Sequence, residues 1–251
     1  MGIPTGEVME HGIVDLGTNF AFLNKAGLPR EEAAIRLDFG LFDRVEFGLV
    51  SVRLNQKAFL MANLKLLLIR ETGTVPNIAV GIENIGDEIV EELMDSLRYK
   101  RKSAFFAISK TFNLPRVHQI SGHIGIGGNR FSEDLGNGNV LKGVFIGISK
   151  EFRPSFARGE LTLHLETDGR GVNLGMQHTA KSGLRVNLGA EALDAPTTDV
   201  KEIRYIAGVS WSNRAIMRQI NEAKRLAKQA GKLAAEAKSA VKEARVETVN
   251  E

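Results

Sequence analysis

The sequence has no cysteine and few aromatic residues, and each shortage excludes a class of protein. With no Cys among 251 residues, the chain has neither a disulfide framework nor a Cys-based zinc site. Aromatic residues make up 6% of the chain, with one Trp and two Tyr. No run of about 18 apolar residues occurs, so the sequence predicts no transmembrane helix. The 43% of hydrophobic residues suffices for one large domain or two small ones.

The net positive charge belongs to the end of the chain. The formal charge is +3 and the pI about 9.1. Lysine and arginine outnumber the acids within residues 214–251, whereas the preceding part of the chain is nearly neutral. Because the basic residues do not form a patch on the main body, we expect no nucleic-acid partner.

Residues 214–251 have the composition and spacing of a helix. Apolar residues recur at alternating spacings of four and three, which places them on one narrow face of a helix. Only Gly231 interrupts the helical pattern, at a cost of about 1 kcal/mol relative to Ala. Two interpretations remain open: a solvated helix with no partner, or a helix that packs on itself, on the body of the chain or on another protein. The apolar face consists of Ile216, Ile220, Ala223, Ala227, Ala230, Ala234, Ala237, Val241 and Ala244.

The rest of the chain alternates between apolar and polar residues with a period of two. In the first run, Val14, Leu16 and Phe20 share one face, and Asp15 and Asn19 share the other. Such alternation predicts β-strands with one apolar and one polar face. The mean run of about ten residues fits a tilted strand that crosses a bilayer, whereas strands of soluble proteins usually have about five or six residues. The twelve runs are 11–23, 32–42, 44–54, 59–71, 77–85, 103–113, 117–129, 142–153, 159–168, 171–180, 184–193 and 201–213.

The links between the runs differ in length at the two ends of the strands. Every second link, beginning with 41–44, is a tight turn, and the other set includes the longer stretches 86–102 and 130–141. Outer-membrane barrels have short periplasmic turns and longer external loops. The sequence therefore predicts an antiparallel up-and-down transmembrane β-barrel of about 12 strands over 1–213, with an α-helical tail over 214–251. An even strand number places both ends of the barrel at the periplasm. A soluble all-β sandwich or barrel is the competing class.

The polar face of the strands is the candidate lumen. It is too highly charged for contact with lipid, and it carries recurrent glycines, which ease the coiling of a small barrel. Acids outnumber bases on this face, which predicts a preference for cations. We expect the acids and bases to pair with each other. The predicted lumen-lining residues are Asp15, Arg36, Asp38, Lys65, Glu83, Glu160, Glu166, Arg185, Glu191 and Arg204, together with Glu46 and Glu151.

Several short motifs lie in the first part of the chain. The stretch 75–82 reads VPNIAVGI and is followed by AISK at 107–110 and by the glycine-rich HIGIG at 123–127. IPTGEV at 3–8 and LFDRVE at 41–46 add to the set. Together these motifs resemble bacterial outer-membrane barrels of the exopolysaccharide-associated YjbH-like family, over about residues 3–152. The resemblance implies an outer-membrane location and a link to envelope polysaccharide export or anchoring, and it transfers no catalytic residue.

The N-terminal sequence bears on that location. The opening MGIPTGEVMEHG has no charged region followed by an apolar stretch, which a signal peptide requires. For an outer-membrane protein we therefore expect a chain from which the signal has been removed, or a misplaced start.

No motif of catalysis or cofactor binding stands out. On a strand, His118 and His123 face opposite sides, so they cannot hold one metal ion. His164 has acidic neighbours but no serine in a nucleophile motif. The glycine-rich stretch 125–130 lacks the third Gly of a dinucleotide-binding motif, and Gly231-Lys232 is not a phosphate-binding loop. We expect no catalytic residue, no metal, no cofactor and no enzymatic activity.

Three functional interpretations follow from the sequence. The first is an outer-membrane pore or export component with a periplasmic helix. The second is a structural anchor in the membrane lipid, whose residues 214–251 bind a periplasmic protein, self-associate or plug the lumen. The third is a soluble all-β binding protein.

Overall fold

In the computed structural model, the described residues are 3–25, 28–54, 57–86, 102–114, 118–131, 143–154, 158–168, 171–193 and 203–247. They contain twelve β-strands, and each overlaps one of the runs predicted from the alternation. The strands are β1 (Val14–Lys25), β2 (Leu28–Leu41), β3 (Val45–Leu54), β4 (Lys57–Ile69), β5 (Asn77–Gly86), β6 (Ser103–Leu114), β7 (His118–Gly127), β8 (Val144–Phe152), β9 (Glu160–Thr167), β10 (Val172–Thr179), β11 (Leu184–Glu191) and β12 (Arg204–Ser212).

The twelve strands form one closed barrel. Each strand pairs antiparallel with its neighbours in the sequence, and β1 pairs with β12 from Asp15↔Ser212 to Leu23↔Arg204. Closure leaves no unpaired strand edge. The predicted up-and-down antiparallel barrel is confirmed, and the alternative of a two-sheet sandwich is wrong.

Apolar side chains cover the outside of the barrel. Leu16, Ile148 and Leu174 each expose about half of their surface, whereas the residues that alternate with them point inward. A soluble domain would bury such side chains, and an exposed apolar belt of this kind is the lipid-facing surface of a membrane barrel. The barrel is therefore of the transmembrane type.

The two rims of the barrel carry different links. At the first rim, the short-turn rim, the strands are joined by 42–44, 70–76, 115–117, 153–159 and 180–183. At the second rim, the long-loop rim, they are joined by 26–27, 55–56, 87–102, 128–143, 168–171 and 192–203. Because β1 begins and β12 ends at the short-turn rim, both ends of the barrel sheet lie there, as predicted.

The helix α1 (Arg214–Glu247) follows β12. It belongs to a second compact unit, Asn213–Glu251, while the barrel belongs to the unit Met1–Ser212. Ile216, Ile220 and Leu226 on α1 are exposed. No described helix is long and apolar enough to cross a membrane. The last residues of the predicted tail, 248–251, lie outside the described residues.

Candidate functional site

The inward face of the barrel brings the predicted site residues together in ion pairs. Asp15, Asp38 and Glu166 are buried, although all three lie on the polar face of their strands. The Nε of Arg36 lies 2.7 Å from Oδ2 of Asp38, two residues along β2. Lys65 on β4 lies 3.1 Å from Oε1 of Glu46 on β3. At the short-turn rim, Arg153 contacts the predicted lumen residues Glu160, at 2.8 Å, and Glu151, at 3.3 Å.

Of three further ion pairs, Arg204–Glu32 and Arg185–Asp15 cross the point where β1 pairs with β12. Arg204 donates through one nitrogen to Glu191, at 2.6 Å, and through the other to Glu32, at 3.0 Å. Near the short-turn rim, Arg185 on β11 pairs with Asp15 on β1. In both cases the arginine reaches over an intervening strand.

A polar cavity of about 230 Å³ lies on the long-loop side of the lumen. Four of its polar wall residues are asparagine, and the others are glutamate and arginine side chains, most of them in ion pairs. Amides and paired charges offer hydrogen-bond donors and acceptors to a hydrophilic solute. The polar wall consists of Asn19, Glu32, Arg36, Glu83, Asn84, Arg130, Glu166, Asn173, Asn187, Glu191 and Arg204.

Sequence reasoning missed two charged members of this wall. Glu32 has the same strand parity as Arg36 on β2, so the period-two signal contained it. Arg130 lies in a 3-10 turn (Asn129–Phe131) after β7, beyond the reach of strand alternation. Its Nε lies 2.9 Å from Oε2 of Glu83, and it also stacks over the Phe131 ring, with 4.3 Å to the centroid.

A second feature missed by sequence reasoning is the N-terminal segment, residues 3–13, which runs inside the barrel. The backbone N–H of Gly6 donates to Oγ of Ser109, at 2.7 Å, and that of Met9 donates to Oε2 of Glu46, at 3.0 Å. The segment leaves the lumen at the short-turn rim, where His11 N–H donates to Oδ1 of Asp43, at 2.6 Å.

At the inner end of the N-terminal segment, Ile3 packs into an apolar pocket on the inward face of the barrel. The pocket is a buried cluster that also contains Phe105, Ala107, Phe131 and Phe145.

Glycines on the inward face make room for the aromatic rings of this pocket. A Cβ on Gly81 or Gly125 would overlap the rings of Phe105 or Phe145, which lie on the neighbouring strands. Aromatic rings that cover glycines in this way compensate for the missing side chains. The ring of Phe131 covers Gly127 in the same way.

Ser109 and His123 form a hydrogen bond that the sequence did not reveal. Oγ of Ser109 lies 2.7 Å from Nδ1 of His123. Ser109 is fully buried, and its oxygen also accepts the Gly6 N–H. The pair therefore anchors the N-terminal segment. Among the described residues, no group of three or more His or acidic side chains is arranged to hold a metal ion.

Comparisons with known proteins find likeness in structure alone. No family model matches the sequence, and neither does any curated protein. The KdgM porin superposes with a TM-score of 0.48 at 8% identity, over 78% of this chain and 98% of that one. The NanC porin gives a TM-score of 0.42 at 10% identity, over 79% and 98% of the two chains. An outer membrane channel from Pseudomonas putida F1 gives 0.40 at 12% identity, over 84% and 99%. At similarities this low, the fold assignment rests on the closed strand pairing of the chain itself.

Proposed function

We propose that this protein is a bacterial outer-membrane pore for small hydrophilic solutes. The observation that carries the proposal is the closed ring of twelve strands with apolar side chains outside and ion pairs inside. The outer surface suits lipid, while the inner surface suits water and polar solutes. Barrels of this type are characteristic of the bacterial outer membrane.

The width of the barrel supports a narrow passage. Side chains fill the lumen of eight-stranded barrels, whereas barrels of 16 to 18 strands leave an aqueous channel. A twelve-stranded barrel with a cavity of about 230 Å³ falls between these cases. We infer that solutes pass in close contact with the wall.

The charge of the lumen supports a preference for cations. Carboxylates outnumber basic side chains among the described inward residues, although the arginines compensate many of them. Rings of acidic side chains favour cations in channels, and the preference weakens as salt screens the charges.

Conductance in planar lipid bilayers tests the pore. Since the N-terminal segment occupies part of the lumen, the measurement includes a variant lacking residues 3–9. We expect ion conductance with a reversal potential that indicates cation preference. Arg130→Gln should increase this preference and Glu83→Gln should decrease it, because each removes one member of the same ion pair. Protein that is folded by heat-modifiable gel migration yet never conducts would contradict the proposal.

A role in polysaccharide export is part of the same proposal, and it is supported by the resemblance of residues 3–152 to YjbH-like barrels. Asparagines and paired charges on the cavity wall suit the hydroxyl groups of a sugar chain. Oligosaccharide added to one side of the bilayer should interrupt the current. Removal of the protein from its host should reduce the amount of secreted polysaccharide.

The second candidate function is that of a membrane anchor for α1. It is favoured by Ile216 and Ile220, which are exposed on the apolar face of the helix. The spacing of four and three residues along the helix is that of a coiled coil. In this role α1 self-associates or binds a periplasmic protein. A barrel that conducts normally after removal of α1 but loses its oligomeric state would support it.

A further inference from the structure

We propose that residues 3–11 of the N-terminal segment form an internal plug that closes the pore and leaves the lumen as a unit. This inference rests on the proposed pore function. It follows from three properties of the contacts between the segment and the wall.

The first property is that the strand pairing of the barrel does not involve the segment. All twelve strands pair in a closed ring, and residues 3–11 contribute no strand to it. The bonds that hold Gly6, Met9 and His11 come from wall side chains and not from the ladder of the sheet. The segment can therefore leave while every strand pairing remains.

The second property is that the two wall side chains that accept hydrogen bonds from Gly6 and Met9 keep other partners when the segment leaves. Ser109 retains its hydrogen bond to His123, and Glu46 retains its ion pair with Lys65. Breaking a buried hydrogen bond is costly chiefly where it leaves a polar group unsatisfied. The polar part of the lumen thus loses little on release.

The third property is that an apolar contact holds one end of the segment while the backbone turns at a glycine at the other end. Ile3 occupies the apolar pocket of Phe105, Phe131 and Phe145 on the inward face of the barrel. At the opposite end, Gly12 has a φ of 78°, and its N–H donates to the carbonyl of Gly40 beside the start of β1. Met9 of the segment is buried as well. A segment held by these two apolar side chains and turned about one glycine has a closed and a released position.

Two glycines on the inward face of the barrel, Gly147 and Gly40, lie against the segment. A Cβ on Gly147 would lie 2.5 Å from Cδ1 of Ile3. A Cβ on Gly40 would overlap the backbone of Met9 and Glu10. A side chain at Gly40 would exclude the backbone of the segment, so this glycine keeps the path of the plug open, whereas at Gly147 only the end of the Ile3 side chain would have to move.

A reversible crosslink between Ile3 and Gly147 tests the plug, since the chain contains no other cysteine. Cγ1 of Ile3, close to where a cysteine sulfur would lie, is 3.6 Å from the Cβ that residue 147 would have. The double variant Ile3→Cys/Gly147→Cys is therefore placed to form a disulfide.

We expect the oxidised double variant to conduct poorly and its conductance to rise several-fold after reduction. Deletion of residues 3–9 should give a high conductance that does not respond to reductant. Ile3→Cys alone should also be indifferent to redox state. Heat-modifiable migration reports the folding of each variant, and mass spectrometry reports the crosslink.

The outcomes separate the plug from the pore. If the crosslinked protein, the reduced protein and the deletion variant conduct equally, the plug is wrong and the pore stands. If none of the folded variants conducts, the pore is wrong, and the plug with it. Failure of the two cysteines to crosslink would place Ile3 away from Gly147 and would overturn the plug.

Discussion

The guanidinium of Arg204 donates to the carboxylate of Glu32 at 3.0 Å, although 172 residues separate the two in the chain. Arg204 lies on the last strand and Glu32 on the second, so the bond spans β1. The β1 residue paired with Glu32 is Ala21, whose small side chain leaves room for the bridge. Arg185 and Asp15 bridge the same join nearer the short-turn rim. Ion pairs therefore reinforce the one place where strands distant in sequence must meet.

Arg204→Met should destabilise the closed barrel. The change leaves the carboxylates of Glu32 and Glu191 without the guanidinium that lies between them. Breaking a buried ion pair from one side costs about 3 kcal/mol or more. We expect the midpoint of urea unfolding in lipid vesicles to fall accordingly.

Two controls separate the bridge from a general effect of substitution. Arg204→Lys keeps the charge but loses the two-pronged geometry, so it should fall between the parent and Arg204→Met. Removing the acid as well, in Arg204→Met/Glu32→Gln, should recover part of the loss. Equal stability of the parent and Arg204→Met would show that the bridge contributes nothing to closure.

Two glycines of β7 should respond in opposite ways to alanine. A Cβ on Gly125 would overlap the Phe145 ring and the carbonyl of Phe106, whereas a Cβ on Gly122 meets nothing within 4 Å. We expect Gly125→Ala to cost about 1–3 kcal/mol through overpacking. Gly122→Ala should be neutral or stabilise by up to about 1 kcal/mol, because it restricts the unfolded chain. Thermal unfolding of the two variants checks the contrast, and equal losses would contradict the inward packing of Phe145.

Neighbouring positions on β11 test which face meets lipid. Val186 is exposed on the outer face, and Asn187 lines the cavity. A lysine on the lipid face near the middle of the bilayer costs about 2–4 kcal/mol. Val186→Lys should therefore destabilise the folded barrel in vesicles, whereas Asn187→Lys should leave it stable and weaken the cation preference. Equal tolerance of both substitutions would argue against a lipid-facing Val186.

The strands were predictable because each alternates over about ten residues, and alternation of that length is typical of a strand with one apolar and one polar face. Because successive side chains of a strand point to opposite faces, an inward Asp15 predicts that Gly17, Asn19 and Ala21 are inward as well. The same parity placed Arg36 and Asp38 on one face of β2, and they lie together there. Local periodicity thus predicts the wall of the lumen.

Features that depend on distant contacts were not predictable. Residues 3–10 lie outside the predicted runs, so the sequence offered no sign that Ile3 packs beside Phe105 and Phe145. The bond between Ser109 and His123 joins adjacent strands across a turn, and it depends on their register. Three of the aromatic residues, Phe105, Phe131 and Phe145, are buried inside the barrel, whereas others such as Phe20, Phe112 and Tyr205 are exposed.

Truncation after Asn213 removes α1 and tests whether the helix is responsible for self-association. The truncated protein retains all twelve strands, so it should keep heat-modifiable migration. If α1 self-associates, the truncated barrel should sediment in detergent as a smaller species than the full chain. Ile220→Lys, on the apolar face of α1, should have the same effect, whereas Asn221→Lys, one position away from that face, should not. A full chain that sediments as a single barrel would contradict self-association and leave binding to another protein as the role of the helix.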